Sequence, residues 1–195
     1  MAKKSSSVYR IIKIMLVVAL ISAALLAVCH KVTEQPIKQA QDNLIAEGIN
    51  QVITSEFNNN PFEEKINIRR DKELFTLYPA RKDGYITSIV MKSHSNKGFG
   101  GRLDVIVGFL LDGTVSGFQV VKHQETPGLG SKVNEPTFKK GVIGKNPANE
   151  NFKVRQDGGE IDAITGATIT SRALIDAIQK AYRGYLKFNA GSENE

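Results

Sequence analysis

Sixteen consecutive residues without a charge, I-M-L-V-V-A-L-I-S-A-A-L-L-A-V-C at 14–29, constrain this chain more than any other feature. Extending back to Ile11 gives nineteen residues interrupted only by Lys13, whose aliphatic stem can carry its ammonium out to a polar boundary. At 1.5 Å per residue that length spans roughly 28 Å, about one hydrocarbon core. No A-x-A cleavage site follows the run, and Val28 stands where a lipoprotein signal needs a small residue before Cys29. The run therefore reads as an uncleaved anchor.

Charge gives the anchor a direction. The net charge is +6, but residues 1–13 carry Lys3, Lys4, Arg10 and Lys13 with no acid, leaving only +2 for the rest. A basic tip before an apolar run is an orientation signal, which puts the N-terminus in the cytoplasm and residues 30–195 outside. With the basic excess spent there, nucleic acid is not the expected partner. Cys29 is the one cysteine, so an internal disulfide is excluded. The 195 residues suffice for one membrane segment and one globular domain of about 150 residues.

Beyond Pro36, Ile37, Ala40, Leu44, Ile45, Ile49, Val52 and Ile53 recur at helical spacing, and Asn58-Asn59-Asn60-Pro61 breaks the pattern. The period then changes. Residues 74–78, 84–91, 103–111 and 114–121 are rich in β-branched and aromatic side chains and predict an antiparallel sheet. Asp112-Gly113 is the strongest hairpin signal, expected as a type I′ turn, and Asp83-Gly84 a weaker one. A short helix is expected to start at 136–140 and a short strand to cover 152–155. Leu174, Ile175, Ile178, Ala181, Tyr182 and Tyr185 predict an amphipathic helix of about five turns near the C-terminus. The fold class expected is α+β: one N-terminal transmembrane helix, then an antiparallel-sheet domain flanked by helices.

Several chemistries are missing. His30, His94 and His123 lack metal-ligand spacing, and neither a nucleophile elbow nor a phosphate-binding G-x-x-x-x-G-K occurs. Residues 95–101 (S-N-K-G-F-G-G) do not continue as a dinucleotide loop, because Leu103 stands where the third glycine belongs. The segment reads as a connector relieved by glycine, with close approach of the backbone to a ligand as the alternative. His123 and Glu125 alternate on a strand and can be imagined as an acid–base pair, but no substrate is implied. No residue is assigned as catalytic.

What remains is a hydroxyl cluster at 162–171, D-A-I-T-G-A-T-I-T-S, directly ahead of the terminal helix. Helix capping explains one hydroxyl, not four. Small residues beside Thr168 leave its oxygen open, and a helix N-terminus favours phosphate. The spacing alone leaves capping ahead of a phosphate site.

The pattern D-x-x-T-G-A-T-x-T resembles the flavinylation motif of the FMN-binding domain family, and H-Q-E-T-P-G-L-G at 123–130 resembles that family's second signature. Within the family the chain is most similar to the G-subunit branch of Rnf electron-transport complexes, with the C subunit of sodium-pumping NADH:quinone reductases as the alternative. The resemblance implies covalent FMN, joined by a flavin transferase through a phosphoester to Thr168. Asp162, Thr165, Gly166 and Ala167 would be read by the transferase and shape the turn; Glu125, Thr126, Gly128 and Leu129 would border the isoalloxazine. The position of Thr165 is often serine in the family, so a hydroxyl is kept. Also implied are other membrane and iron–sulfur subunits as partners, relay between ferredoxin and NAD coupled to sodium or proton movement, and the bacterial cytoplasmic (inner) membrane as location. A stand-alone anchored flavoprotein, and a scaffold whose threonines only cap, are the rival readings. The expected division is 1–10 cytoplasmic, 11–29 anchor, 30–60 helical connector, 61–188 FMN-binding domain and 189–195 tail. A reporter enzyme fused after Glu195 should be active only in an extracytoplasmic compartment; cytoplasmic activity would overturn the orientation.

Overall fold

The computed structural model describes residues 3–70, 73–128, 130–149 and 151–192. Two compact units divide the chain, residues 1–43 and residues 44–195. Helix α1 (Lys3–Val52) forms the whole described part of the first unit and continues into the second. In the first unit the apolar side chains lie bare: Met15 is 67% and Leu26 71% exposed. This helix is long and apolar enough to cross a membrane. Pro36 lies inside it, and Thr33 Oγ1 donates to the carbonyl of Cys29 at 2.8 Å one turn earlier.

In the second unit five strands run as an antiparallel meander in chain order: β1 (Ile66–Arg70), β2 (Glu73–Lys82), β3 (Tyr85–Ser95), β4 (Leu103–Phe109) and β5 (Val115–His123). The sheet and helical flanks agree with expectation; β1 carried no recognisable strand signal. Helices α2 (Pro136–Val142) and α3 (Thr168–Ser192) follow. At 3.6 residues per turn α3 makes about seven turns rather than five. Residues 152–155 form no strand: Val154 bridges Ile161 alone, and a 3-10 turn (Arg155–Asp157) takes over.

Of the two expected hairpin turns, the weaker one has the type I′ geometry and the stronger one does not. Asp83 and Gly84 both have positive φ, 52° and 87°, directly between the paired Lys82 and Tyr85, as a type I′ turn requires. At the β4–β5 connection Gly113 is left-handed but Asp112 is not, and Gly113 N–H donates to Leu110 O. That turn begins two residues earlier, at Leu110, and Gly113 closes it.

Every residue of β4 is buried, because the sheet is covered on both faces. Leu77, Ile89, Met91, Val105 and Val107 face Leu174, Ile178 and Tyr185 of α3. On the opposite face Tyr78, Val90 and Ile106 meet Ile45, Ile49 and Val52 from the last turns of α1. Burial of each such aliphatic side chain is worth about 1.5–3 kcal/mol. Small residues set the spacing. Ala173, Ala177 and Ala181 are fully buried along one face of α3, and a Cβ on Gly184 would stand 2.5 Å from Phe75 and Met91. Gly108 and Gly117 are cross-strand partners, and a Cβ on either would lie within 3 Å of the Val52 backbone. Ser116 Oγ fixes the same helix end by donating to Val52 O at 2.7 Å. Gly117→Val should therefore destabilise the domain by about 1–3 kcal/mol through overpacking, read as a lowered midpoint of thermal unfolding.

Candidate functional site

The register places Ser95 opposite Leu103 and Leu103 opposite His123, so three strand ends meet at one edge of the sheet. The loop 96–102 and the segment 124–130 both leave from that edge, and α3 begins beside them. A cleft of about 360 Å³ opens between these elements, lined by Phe99, Glu125, Thr126, Gly130 and residues 166–170. That volume falls in the range of roughly 300–1,000 Å³ typical of preformed small-molecule sites.

Glu125 holds the cleft together. It is 6% exposed, and its carboxylate accepts from Thr170 Oγ1 at 2.6 Å and from Gly100 N–H at 3.2 Å. The glycines around it are required by distance. A Cβ on Gly98 would come to 2.3 Å from Glu125 Oε1, and one on Gly130 to 2.4 Å from Glu125 Cβ. A Cβ on Gly100 would strike the Gln124 carbonyl at 1.9 Å. The reading as a connector relieved by glycine holds at Gly101, at φ 109°, and the backbone at Gly98 and Gly100 also comes close to the chain's own Glu125 and Gln124. The imagined His123–Glu125 acid–base pair does not form: His123 Nδ1 accepts from the Glu125 backbone N–H at 3.3 Å, and the carboxylate is engaged elsewhere.

A second tie runs from the loop to α3. Asp176 accepts from Ser95 Oγ at 2.8 Å and from Lys97 Nζ at 2.6 Å. Burial pushes the Asp176 carboxyl up, but these hydrogen bonds and the Lys97 charge outweigh it and hold the carboxyl below its ordinary range. Arg172 adds a bidentate contact to Asp157 at 2.6 and 2.7 Å, and that guanidinium lowers the Asp157 carboxyl.

The hydroxyl cluster divides its labour. Residues 164–167 form a turn closed by Ala167 N–H to Ile164 O at 2.9 Å, with Gly166 at φ 78°, where a side chain would be strained. Ser171 Oγ accepts from Ile164 N–H and donates to Ala167 O, both at 3.0 Å, locking the turn onto the helix. Thr170 serves Glu125. Among the described residues no first-turn amide donates to any of these hydroxyls, so none acts as the expected N-cap. The first helical bond is Ser171 N–H to Ala167 O, which leaves the amides of Thr168, Ile169 and Thr170 without backbone acceptors. Thr168, the first residue of α3, is half-buried on the cleft, and its hydroxyl has no partner among the described residues.

Of the residues singled out in the sequence, Glu125, Thr126, Gly166, Ala167 and Thr168 come together on this cleft. Asp162 and Thr165 do not: they line a neighbouring depression of about 250 Å³ with Lys132 and Phe138, and Asp162 pairs at the surface with Arg155 at 2.5 Å. Gly128 is exposed, left-handed at φ 78°, and off the cleft; Leu129 lies outside the described residues. Phe99, Ile169 and Thr170 were not recognised as cleft residues from the sequence. The one signal for Phe99 was an aromatic set among three glycines.

Comparison with known proteins gives this geometry a context. Residues 98–183, which contain the whole cleft, match the FMN-binding domain family. The G subunit of the ion-translocating oxidoreductase complex of Vibrio cholerae serotype O1 (strain ATCC 39541) is 36% identical over 179 residues, covering 86% of this chain and 85% of that one. Its counterpart from Erwinia tasmaniensis is 35% identical over 180 residues, covering 84% and 83%. Among solved structures, the C subunit of the Na(+)-translocating NADH-quinone reductase from Parabacteroides distasonis shares the fold, with a TM-score of 0.57 and 23% identity over 78% of this chain and 94% of that one.

The Asp176 tie has a pH signature. A carboxyl lowered in the folded state stabilises above its unfolded pKa, near 3.9, and that contribution is lost as pH falls through the lower folded value. Asp176→Asn should cost about 1 kcal/mol at pH 7, and the gap between variant and wild type should close below about pH 4, followed by urea unfolding across pH.

Proposed function

The chain belongs to the family formed by the G subunits of ion-translocating oxidoreductase complexes, and from that premise we propose a membrane-anchored electron-transfer subunit that carries FMN covalently on Thr168. The observation that carries this reading is an uncommitted hydroxyl beside uncommitted amides. Thr168 Oγ1 makes no hydrogen bond among the described residues and stands where three backbone N–H groups and the helix dipole favour a phosphate. The fit extends to the walls. Gly166 and Ala167 leave room at the phosphate end, and the apolar side chains of Phe99 and Ile169 suit a flat ring beyond it.

When bound, FMN supplies one- and two-electron chemistry. The chain's own residues bind and position it. Thr168 would supply the ester oxygen: its O–H bond breaks as the O–P bond forms on the transferase. That enzyme must use an activated flavin donor, whose own bond from phosphorus to its leaving group breaks in the same exchange. The amides of residues 168–170 would hold the phosphoryl oxygens. Glu125, through Thr170 and Gly100, keeps the loop at a fixed distance from the helix start. Thr126 and Glu125, which line the cleft, would border the ring. Gly128 and Leu129 complete that segment, while Asp162 and Thr165, on the neighbouring depression, are the surface a transferase would read. A covalent tether suits a domain outside the cytoplasm, where a lost flavin could not easily be replaced.

The anchor is residues 11–29, in the bacterial cytoplasmic membrane, with 1–10 in the cytoplasm. Residues 30–60 connect it to the FMN-binding domain at 61–188, with the last turns of α1 packed on the sheet, and beyond 188 the chain continues α3 as far as Ser192. The exposed apolar side chains of α1 support this, since hydrocarbon covers them without cost. Partners are the other membrane and iron–sulfur subunits of a ferredoxin:NAD oxidoreductase that moves ions. The identity to G subunits, which runs over most of this chain and of theirs, supports that assembly over a stand-alone flavoprotein. Full-length chain made with the transferase should fluoresce as a flavoprotein in a denaturing gel, and Thr168→Ala should not. Equal fluorescence from the variant would sink the assignment of Thr168.

A further inference from the structure

The cleft is lined by both polar and apolar side chains, and the aromatic among them is a residue that neither motif contains. Phe99 is 71% exposed although it is a large aromatic, and it stands on the cleft. The loop that carries it has little freedom. Gly98 N–H donates to Gly101 O at 3.1 Å and Gly101 N–H returns to Gly98 O at 3.2 Å, closing a tight ring of backbone with Phe99 at its tip. Gly100 N–H is held by Glu125, and Ser95 and Lys97 at the loop's base are held by Asp176. Across the cleft Ile169, 46% exposed, is the second large apolar side chain left open. Both line the same cleft as Thr168.

A flexible loop would fold such an aromatic away from water. This loop is latched at both ends, and the glycines beside Phe99 cannot gain a side chain without striking Glu125 or Gln124. The exposed ring is therefore preorganised, which lowers the entropy lost when a flat partner binds. Stacked aromatic pairs gain about 0.5–1.5 kcal/mol beyond the area they bury.

Resting on the FMN reading above, we propose that Phe99 is the stacking face for the isoalloxazine, covering one side of the ring and shielding it from water. Glu125 and Asp176 act through the loop as positioning residues; they set where Phe99 stands.

The chain contains no tryptophan, so one can be placed as a reporter. Full-length Phe99→Trp, made with the flavin transferase, should carry the same FMN mass as wild type by intact-protein mass spectrometry. Its native flavin fluorescence should fall about fivefold, through contact quenching by the stacked indole, and recover in guanidinium. Tyr85→Trp is the control. Tyr85 is 80% exposed at the far end of β3, roughly 30 Å along the strand from Ser95, and this variant should stay as bright as wild type. Phe99→Ala should raise quenching of the flavin by iodide about twofold, since it opens the ring to solvent. Flavin present in full amount, with Phe99→Trp as bright as wild type or Phe99→Ala no more open to iodide, would overturn this inference alone. A wild-type chain without the FMN mass would overturn it together with the reading it rests on.

Discussion

The hydrogen bond from Thr170 to Glu125, 2.6 Å long and shut away from water, is the contact on which the site depends. A buried carboxylate is costly unless its oxygens are matched by fixed donors. Here the donors come from two different elements, the first turn of α3 and the loop before β4. One side chain thereby locks a helix start, a glycine loop and the segment after β5 into one wall. The glycines at 98, 100 and 130 are consequences of that demand, because any side chain there would occupy the space of Glu125 or Gln124.

The sheet beneath the site is organised by a similar conflict between burial and space. β4 is covered on both faces, so the helix end above it and α3 below must come close. Gly108 and Gly117 admit the backbone of Val52 on one side; Ala173, Ala177, Ala181 and Gly184 admit the sheet on the other. Dense packing of this kind is what keeps three strand ends and the start of α3 in a constant arrangement. The cleft at that edge is held in shape by close packing and by the hydrogen bonds to Glu125.

Within the hydroxyl cluster, position decides role. Ser171 closes the turn, Thr170 completes the Glu125 latch, and Thr168 Oγ1 has no partner among the described residues. Neighbouring hydroxyls of similar chemistry thus perform three different tasks within about one helical turn. The hydroxyls of Ser171 and Thr170 have their hydrogen bonds satisfied by protein, and under the reading proposed above the oxygen of Thr168 is the one kept for a ligand. The unpaired first-turn amides follow the same logic, since a capped helix start would have fewer donors to offer an anion.

Local pattern determined a good deal of this protein. The apolar run, the helix around Ile45 and Ile49, four of the five strands and the helix around Leu174 and Ile178 all follow from period and β-branching, which need only neighbours in sequence. The motifs around Glu125 and Thr168 pointed to residues that the fold gathers on one cleft, and their resemblance to a family supplied the chemistry proposed for it. Tertiary structure decided the rest, because the rest depends on residues far apart in the chain. The type I′ turn settled at Asp83-Gly84, where the paired strands meet over two residues, and not at Asp112-Gly113, where the turn starts at Leu110. Strand β1 exists because β2 offers it an edge. Glu125 became the latch only when Thr170, 45 positions later, was brought within 2.6 Å. Phe99 stands open on the cleft only because Glu125 and Asp176, both distant in sequence, fix the loop around it. A spacing of residues states which faces can be buried; which donor meets which acceptor is a property of the folded chain.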